Sequence, residues 1–158
     1  RPNVLRMRTF SKAYALAGLR CGYAIGEAQT IRAFDKIRNH FGMPGITQAA
    51  SLAALQDKAY FQETLEKISA SRDRIAAIAA TNGLASVPSA TNFVAVDCGG
   101  KAIAEAVMQG LLDRDVFVRK PATPGLDRCI RVSVGPENEM DVFEQAFAEA
   151  LAAAHNQR

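Results

Sequence analysis

Metal and redox chemistry find little material in this sequence. It contains two histidines, His40 and His155, and three cysteines, Cys21, Cys98 and Cys129. The histidines are too isolated to suggest a metal site or a catalytic triad. The cysteines are odd in number, widely spaced and without any Cys-x-x-Cys or Cys/His ligand spacing. They read as small buried hydrophobes in a reducing cytoplasm rather than as a disulfide framework.

Long apolar runs are also missing. Charged or polar residues interrupt every stretch, the alanine-rich ones included, well short of the roughly 18 residues a membrane span needs. The opening Arg1-Pro2-Asn3-Val4-Leu5-Arg6 lacks the apolar core of a signal peptide and an initiator Met, and reads as a chain entered midway. Charge of one sign is scarce as well. Nineteen Lys and Arg are scattered among sixteen Asp and Glu, for a formal net charge of +3. Arg6, Arg8, Arg20, Arg32 and Arg38 lack the clustered stripe and interleaved aromatics of a nucleic-acid surface. Neither nucleic acid nor a membrane is an expected partner.

What is present suits a folded domain or a little more. The chain has 158 residues, 49% hydrophobic and 22% charged, far from the composition of disordered chains. Val4 to Thr9 reads as a strand leading into a polar loop, and Gly22 to Gly26 as a second short strand. Ile31, Phe34 and Ile37 recur at helical spacing between Glu27 and about Asn39, ahead of the breaker-rich Phe41-Gly42-Met43-Pro44-Gly45. Thr47 is a possible cap for a long helical region whose stripe includes Ala50, Ala53, Ala54, Phe61, Leu65, Ile68, Ile75 and Ile78, with bends possible near Asp57 or Arg72. Asn82-Gly83 stops it. A strand at Asn92–Val96, a helix at about Lys101–Asp113 and a strand at Val116–Arg119 follow. Cys129–Val134 alternates as a strand, Pro136 opens an amphipathic helix with Phe143 and Phe147 on one face, and the tail frays. The expected fold is α/β, with an α/β or α+β small domain after Pro44.

The segment Arg8-Thr9-Phe10-Ser11-Lys12-Ala13-Tyr14-Ala15-Leu16-Ala17-Gly18-Leu19-Arg20-Cys21-Gly22-Tyr23 carries the chemistry. A lysine attacks an aldehyde only in its neutral form, which a nearby fixed cation or removal from water favours. Arg20 is such a cation, and its planar guanidinium matches two phosphate oxygens. Thr9 and Ser11 add hydroxyls, and strand alternation would point both to one side. Each residue alone has an ordinary explanation, as a surface charge or a turn hydroxyl. Their combination is more specific. Tyr14 and Tyr23 read as packing.

The segment resembles the cofactor-lysine motif of fold-type-I pyridoxal-phosphate aminotransferases, most closely the histidinol-phosphate aminotransferase family, in which Ser-Lys is followed by Ala-Gly-Leu-Arg and Gly-Tyr. The eight-residue interval from Lys12 to Arg20 fits, and Ala15 stands where glycine is common. Pro88-Ser89-Ala90-Thr91-Asn92-Phe93, Val116-Phe117-Val118-Arg119 and Ile130-Arg131-Val132-Ser133-Val134-Gly135 resemble later segments of the same family, in order and spacing. The resemblance implies a fold of the pyridoxal-phosphate-dependent transferase type, with residues 1–45 the end of the large domain and residues 46–158 a linking helix and small C-terminal domain. It implies pyridoxal 5'-phosphate held covalently by Lys12, with Thr9, Ser11 and Arg20 on its phosphate. Arg131 would bind the anionic end of the substrate. No role is assigned to Arg119.

The implied reaction moves an amino group between an amino acid, or a phosphorylated amine such as histidinol phosphate, and a 2-oxo acid, with Lys12 as nucleophile and proton carrier. Complete relatives are homodimers. The family's acid against the pyridine nitrogen, its ring-stacking aromatic and its phosphate-binding helix start precede its lysine motif, and eleven residues precede Lys12 here. A decarboxylase of the threonine-phosphate type and a noncatalytic remnant of the same fold are the alternatives.

Overall fold

A computed structural model describes residues 4–156, so Arg1, Pro2, Asn3, Gln157 and Arg158 of the opening and the tail lie outside the described residues. The chain forms two compact units, one ending at Leu65 and one beginning at Glu66.

In the first unit, β1 (Arg6–Thr9) and β2 (Gly22–Ile25) pair antiparallel, with Thr9 opposite Gly22 and Arg6 opposite Ile25. Gly22 is required by this approach. A Cβ there would lie 2.6 Å from the Arg8 carbonyl oxygen, inside any real contact distance. Helix α1 (Ala28–Ala33) is shorter than its apolar spacing predicts and passes into a 3₁₀ turn at Phe34–Lys36. Ile37, the last residue of that stripe, is 82% exposed.

The long helical region divides into α2 (Gly45–Gln56) and α3 (Lys58–Thr81), with the break at Asp57. Asp57 closes α2 at ψ 76°, and its carboxylate accepts the Tyr60 amide at 3.0 Å to open α3. Thr47 does not cap α2, whose N-cap is Pro44. It lies inside the first turn with its hydroxyl turned toward the protein, because Pro44 already starts the helix three residues earlier.

The second unit packs helices on one face of a three-stranded antiparallel sheet ordered β3 (Ala85–Val87), β4 (Phe93–Asp97), β5 (Cys129–Ser133). Strand alternation turns Val94, Val96, Ile130 and Val132 inward, where they meet Ile75 and Ile78 of α3. Ile103, Val107 and Leu111 of α4 (Lys101–Leu112) and Met140, Phe143 and Phe147 of α5 (Glu137–Asn156) complete this core. At the margin, Arg74 of α3 pairs with Asp141 and Glu144 of α5 at 2.6 and 2.9 Å. Strand β3 is absent from the sequence expectation, and Val116–Arg119 contributes a single bridge, Arg119 with Arg131, in place of the expected strand.

No helix among the described residues is long and apolar enough to cross a membrane. All three cysteines are buried and unpaired. Burial pushes the Cys98 thiol up to about 11. Beside it, burial of Asp97 raises its pKa, but the Gly99 amide and the Arg128 guanidinium outweigh that effect and hold it below the ordinary carboxylate range. The Asp97–Arg128 pair, at 2.7 Å, therefore supports the fold above the ordinary carboxylate range and is lost as pH falls through the lowered value.

Two outcomes are expected. Phe147, fully buried, should cost about 3–5 kcal/mol when changed to Ala, read from chemical denaturation of the second unit. Cys98 should resist alkylation at pH 8 in the native chain and label fully in denaturant, read by mass spectrometry of the cysteine peptides.

Candidate functional site

The β1–β2 register fixes the geometry of the segment between the strands. Beyond Thr9, the Phe10 amide donates to the Cys21 carbonyl at 3.2 Å and the Leu16 amide to the Phe10 carbonyl at 2.9 Å, closing residues 10–21 into a loop. Phe10, 3% exposed, is its apolar root. The Tyr14 and Tyr23 rings lie 5.1 and 5.7 Å from its ring, and Tyr14 stacks at 4.6 Å and 13° on Phe61. This places Tyr14 and Tyr23 in the packing, as the sequence predicts.

Above this root sit the polar groups. Thr9 Oγ1 donates to Ser11 Oγ at 2.8 Å and accepts the Ser11 amide at 3.1 Å, so two hydroxyls stand side by side at the end of β1. Strand alternation is not the cause, since β1 ends at Thr9; a local hydroxyl turn brings them together. Lys12 follows on the exposed surface, with its carbonyl accepting the Ala15 amide at 2.8 Å. Its ammonium enters no ion pair or hydrogen bond among the described residues.

Ala15 adopts a left-handed φ of 56°, which explains why glycine suits this position; alanine there costs about 1 kcal/mol. The 3₁₀ turn Ala17–Leu19 ends on Arg20, also left-handed at φ 51°. Arg20 bonds the Ala17 carbonyl twice, through its amide at 3.4 Å and its guanidinium at 2.6 Å. Among the described residues no carboxylate pairs with it. The structure thus gathers Thr9, Ser11, Lys12 and Arg20 on one closed loop.

Arg131 belongs to the second unit. It lies on the sheet face opposite the core, and its guanidinium carbon is 4.6 Å from the centroid of the Phe93 ring, a cation–π contact. Its backbone exchanges both hydrogen bonds with Arg119, at 3.1 and 2.6 Å. Directly paired residues of antiparallel strands share a face, and like charges so placed repel. Among the described residues neither arginine has an acidic partner within ion-pair distance. The sequence leaves Arg119 without a role because only the register sets it beside Arg131. Among the described residues no three metal-ligating side chains come together.

The groups gathered on the loop fit a phosphorylated aldehyde. Two adjacent hydroxyls and a guanidinium without an acidic partner suit a phosphate, and the Lys12 amine, held in no ion pair among the described residues, is the group an aldehyde would take in its neutral form.

Comparison with known proteins agrees. The family model for aminotransferases of class I and II matches residues 1–147. The chain belongs to this family. Histidinol-phosphate aminotransferase of Geotalea uraniireducens is 39% identical over 147 residues, which cover 93% of this chain and 42% of that protein. The crystal structure of histidinol-phosphate aminotransferase from Sinorhizobium meliloti in complex with pyridoxal-5'-phosphate matches with a TM-score of 0.91 and 53% identity, over 96% of this chain and 42% of that one. The aminotransferase-family chain described here therefore spans about two-fifths of the length of those relatives. L-threonine-O-3-phosphate decarboxylase from Porphyromonas gingivalis matches at TM-score 0.78 and 20% identity, over 96% of this chain and 48% of that one, a likeness of fold alone.

Aromatic anchoring of the loop is directly measurable. A double-mutant cycle on Tyr14→Leu and Phe61→Leu should give a coupling of about 0.5–1.5 kcal/mol by equilibrium denaturation. Additive effects would mean that the stack contributes only ordinary burial.

Proposed function

We propose that this chain is the C-terminal part of a pyridoxal-phosphate-dependent aminotransferase. It moves an amino group from an amino acid, or a phosphorylated amine such as histidinol phosphate, to a 2-oxo acid. One observation carries the reading: Lys12, Arg20 and the paired hydroxyls of Thr9 and Ser11 share one closed loop, with neither cation in an ion pair among the described residues.

Bound pyridoxal phosphate supplies an aldehyde for covalent capture and a ring that accepts electrons from the substrate carbon. The chain supplies the rest. Lys12 Nζ would hold the aldehyde carbon and, when free, would carry a proton to and from the substrate carbon. Thr9, Ser11 and Arg20 bind the phosphate and fix where that carbon stands. Arg131, backed by Phe93 and joined by Arg119, takes the anionic end of the substrate. A carboxylate or a phosphate suits a guanidinium fork equally.

In this reading residues 1–45 end the large cofactor-binding domain, and residues 46–158 form the linking helix and small domain. The active form is a cytoplasmic homodimer. Its support is the apolar surface left open in the first unit, where Ile37, Phe41 and Ile46 are 82%, 94% and 70% exposed, a pattern of surfaces that other polypeptide covers.

Titration of the purified chain with pyridoxal phosphate, borohydride reduction and peptide mapping test the site. The expected result is one reduced adduct, on Lys12, that disappears in Lys12→Ala. Even labelling of many lysines, or no adduct, would sink the reading for this polypeptide.

A further inference from the structure

Helix α2 buries the wrong side for an ordinary amphipathic helix. Its two buried residues are Thr47 and Ser51, at 3% and 8% exposure. Its large apolar residues Ile46, Leu52 and Leu55 are 70%, 57% and 46% exposed. Burying a hydroxyl is unfavourable unless it finds a partner. Thr47 finds one in the lysine loop: its Oγ1 donates to the Leu19 carbonyl, 3.5 Å away and 28 residues earlier in the chain. Ser51, one helical turn on, has no partner for its Oγ among the described residues.

The bonded carbonyl is significant. Leu19 is the last residue of the 3₁₀ turn, and its carbonyl belongs to the peptide leading into Arg20. Arg20 sits in a left-handed conformation that a non-glycine residue leaves readily unless its surroundings hold it. The Ala17 carbonyl restrains it from within the turn. Thr47 supplies the restraint from outside.

We propose that Thr47 is a positioning residue for Arg20: its buried hydroxyl fixes the Leu19–Arg20 peptide and so sets where the guanidinium is presented. The link to cofactor phosphate rests on the reading of Arg20 given above, whereas the link to the turn does not. Thr47 takes no part in the chemistry itself.

Three variants of the chain separate a hydroxyl effect from a packing effect. Thr47→Val keeps the shape and removes the donor, Thr47→Ser keeps the donor and removes a methyl, and Ser51→Ala removes an unpartnered hydroxyl as a control. Amide hydrogen exchange at Leu19 and Arg20 is measured by NMR without cofactor. Exchange should quicken about threefold or more in Thr47→Val, the scale of one lost hydrogen bond, and stay near wild type in Thr47→Ser and Ser51→Ala. The reverse order, with Ser damaging and Val neutral, or equal exchange in all variants, overturns the proposal. Pyridoxal phosphate affinity is then compared for wild type, Thr47→Val and Arg20→Ala. Weaker binding in both variants extends the positioning to the phosphate. Unchanged binding in Arg20→Ala removes the phosphate reading of Arg20, while the exchange data still decide the positioning.

Discussion

The register that sets Thr9 opposite Gly22 is the constraint on which the lysine loop depends. It brings the Phe10 amide onto the Cys21 carbonyl, and that single closure makes neighbours of residues eleven positions apart. A shift by one residue would break the Phe10–Cys21 closure. The absence of a side chain at Gly22 is what lets the strands approach, since a Cβ would meet the Arg8 carbonyl oxygen. The chemistry of the loop therefore rests on backbone geometry, and the aromatic residues beneath it keep that geometry from relaxing.

The second unit follows a different economy. Its core is a helix-covered sheet whose two longer strands turn Val94, Val96, Ile130 and Val132 inward, and Arg131 lies on the other face. There two arginines stand side by side with no acid between them among the described residues. Such a pair lowers stability in isolation and is tolerated where an anion settles the repulsion. Phe93 offsets part of this by presenting its ring to Arg131. This like-charge pairing thus sits on a scaffold with ample packing elsewhere.

Much of this was readable from the residues. The lysine segment, both strands around it, and the helices that begin at Lys101 and after Pro136 follow from motif, periodicity and breakers. Other features depend on tertiary context. Ala85-Ser86-Val87 is too short and mixed to announce a strand, and becomes one by pairing with β4. Val116–Arg119 has strand-forming residues but finds one bridging partner, so its propensity goes largely unused. Thr47 has the chemistry of a cap, yet Pro44 takes that position and the hydroxyl turns to Leu19. Periodicity marked Ile37 as inward-facing, but nothing in these described residues covers it. Along the chain, α2 begins at Gly45 and the boundary between the compact units falls within the span of α3.

The open apolar surface of the first unit also bears on the chain's behaviour as it is made and concentrated. Ile37, Phe41 and Ile46 crowd into ten residues around a breaker-rich link, and no charged residue follows Arg38 until Asp57. A stretch of this kind lacks the gatekeeping charges that keep nascent chains apart. It is the sort of segment that holding chaperones grip and that self-associates as concentration rises. Such a surface thereby sets an upper limit on how long the chain can safely remain alone.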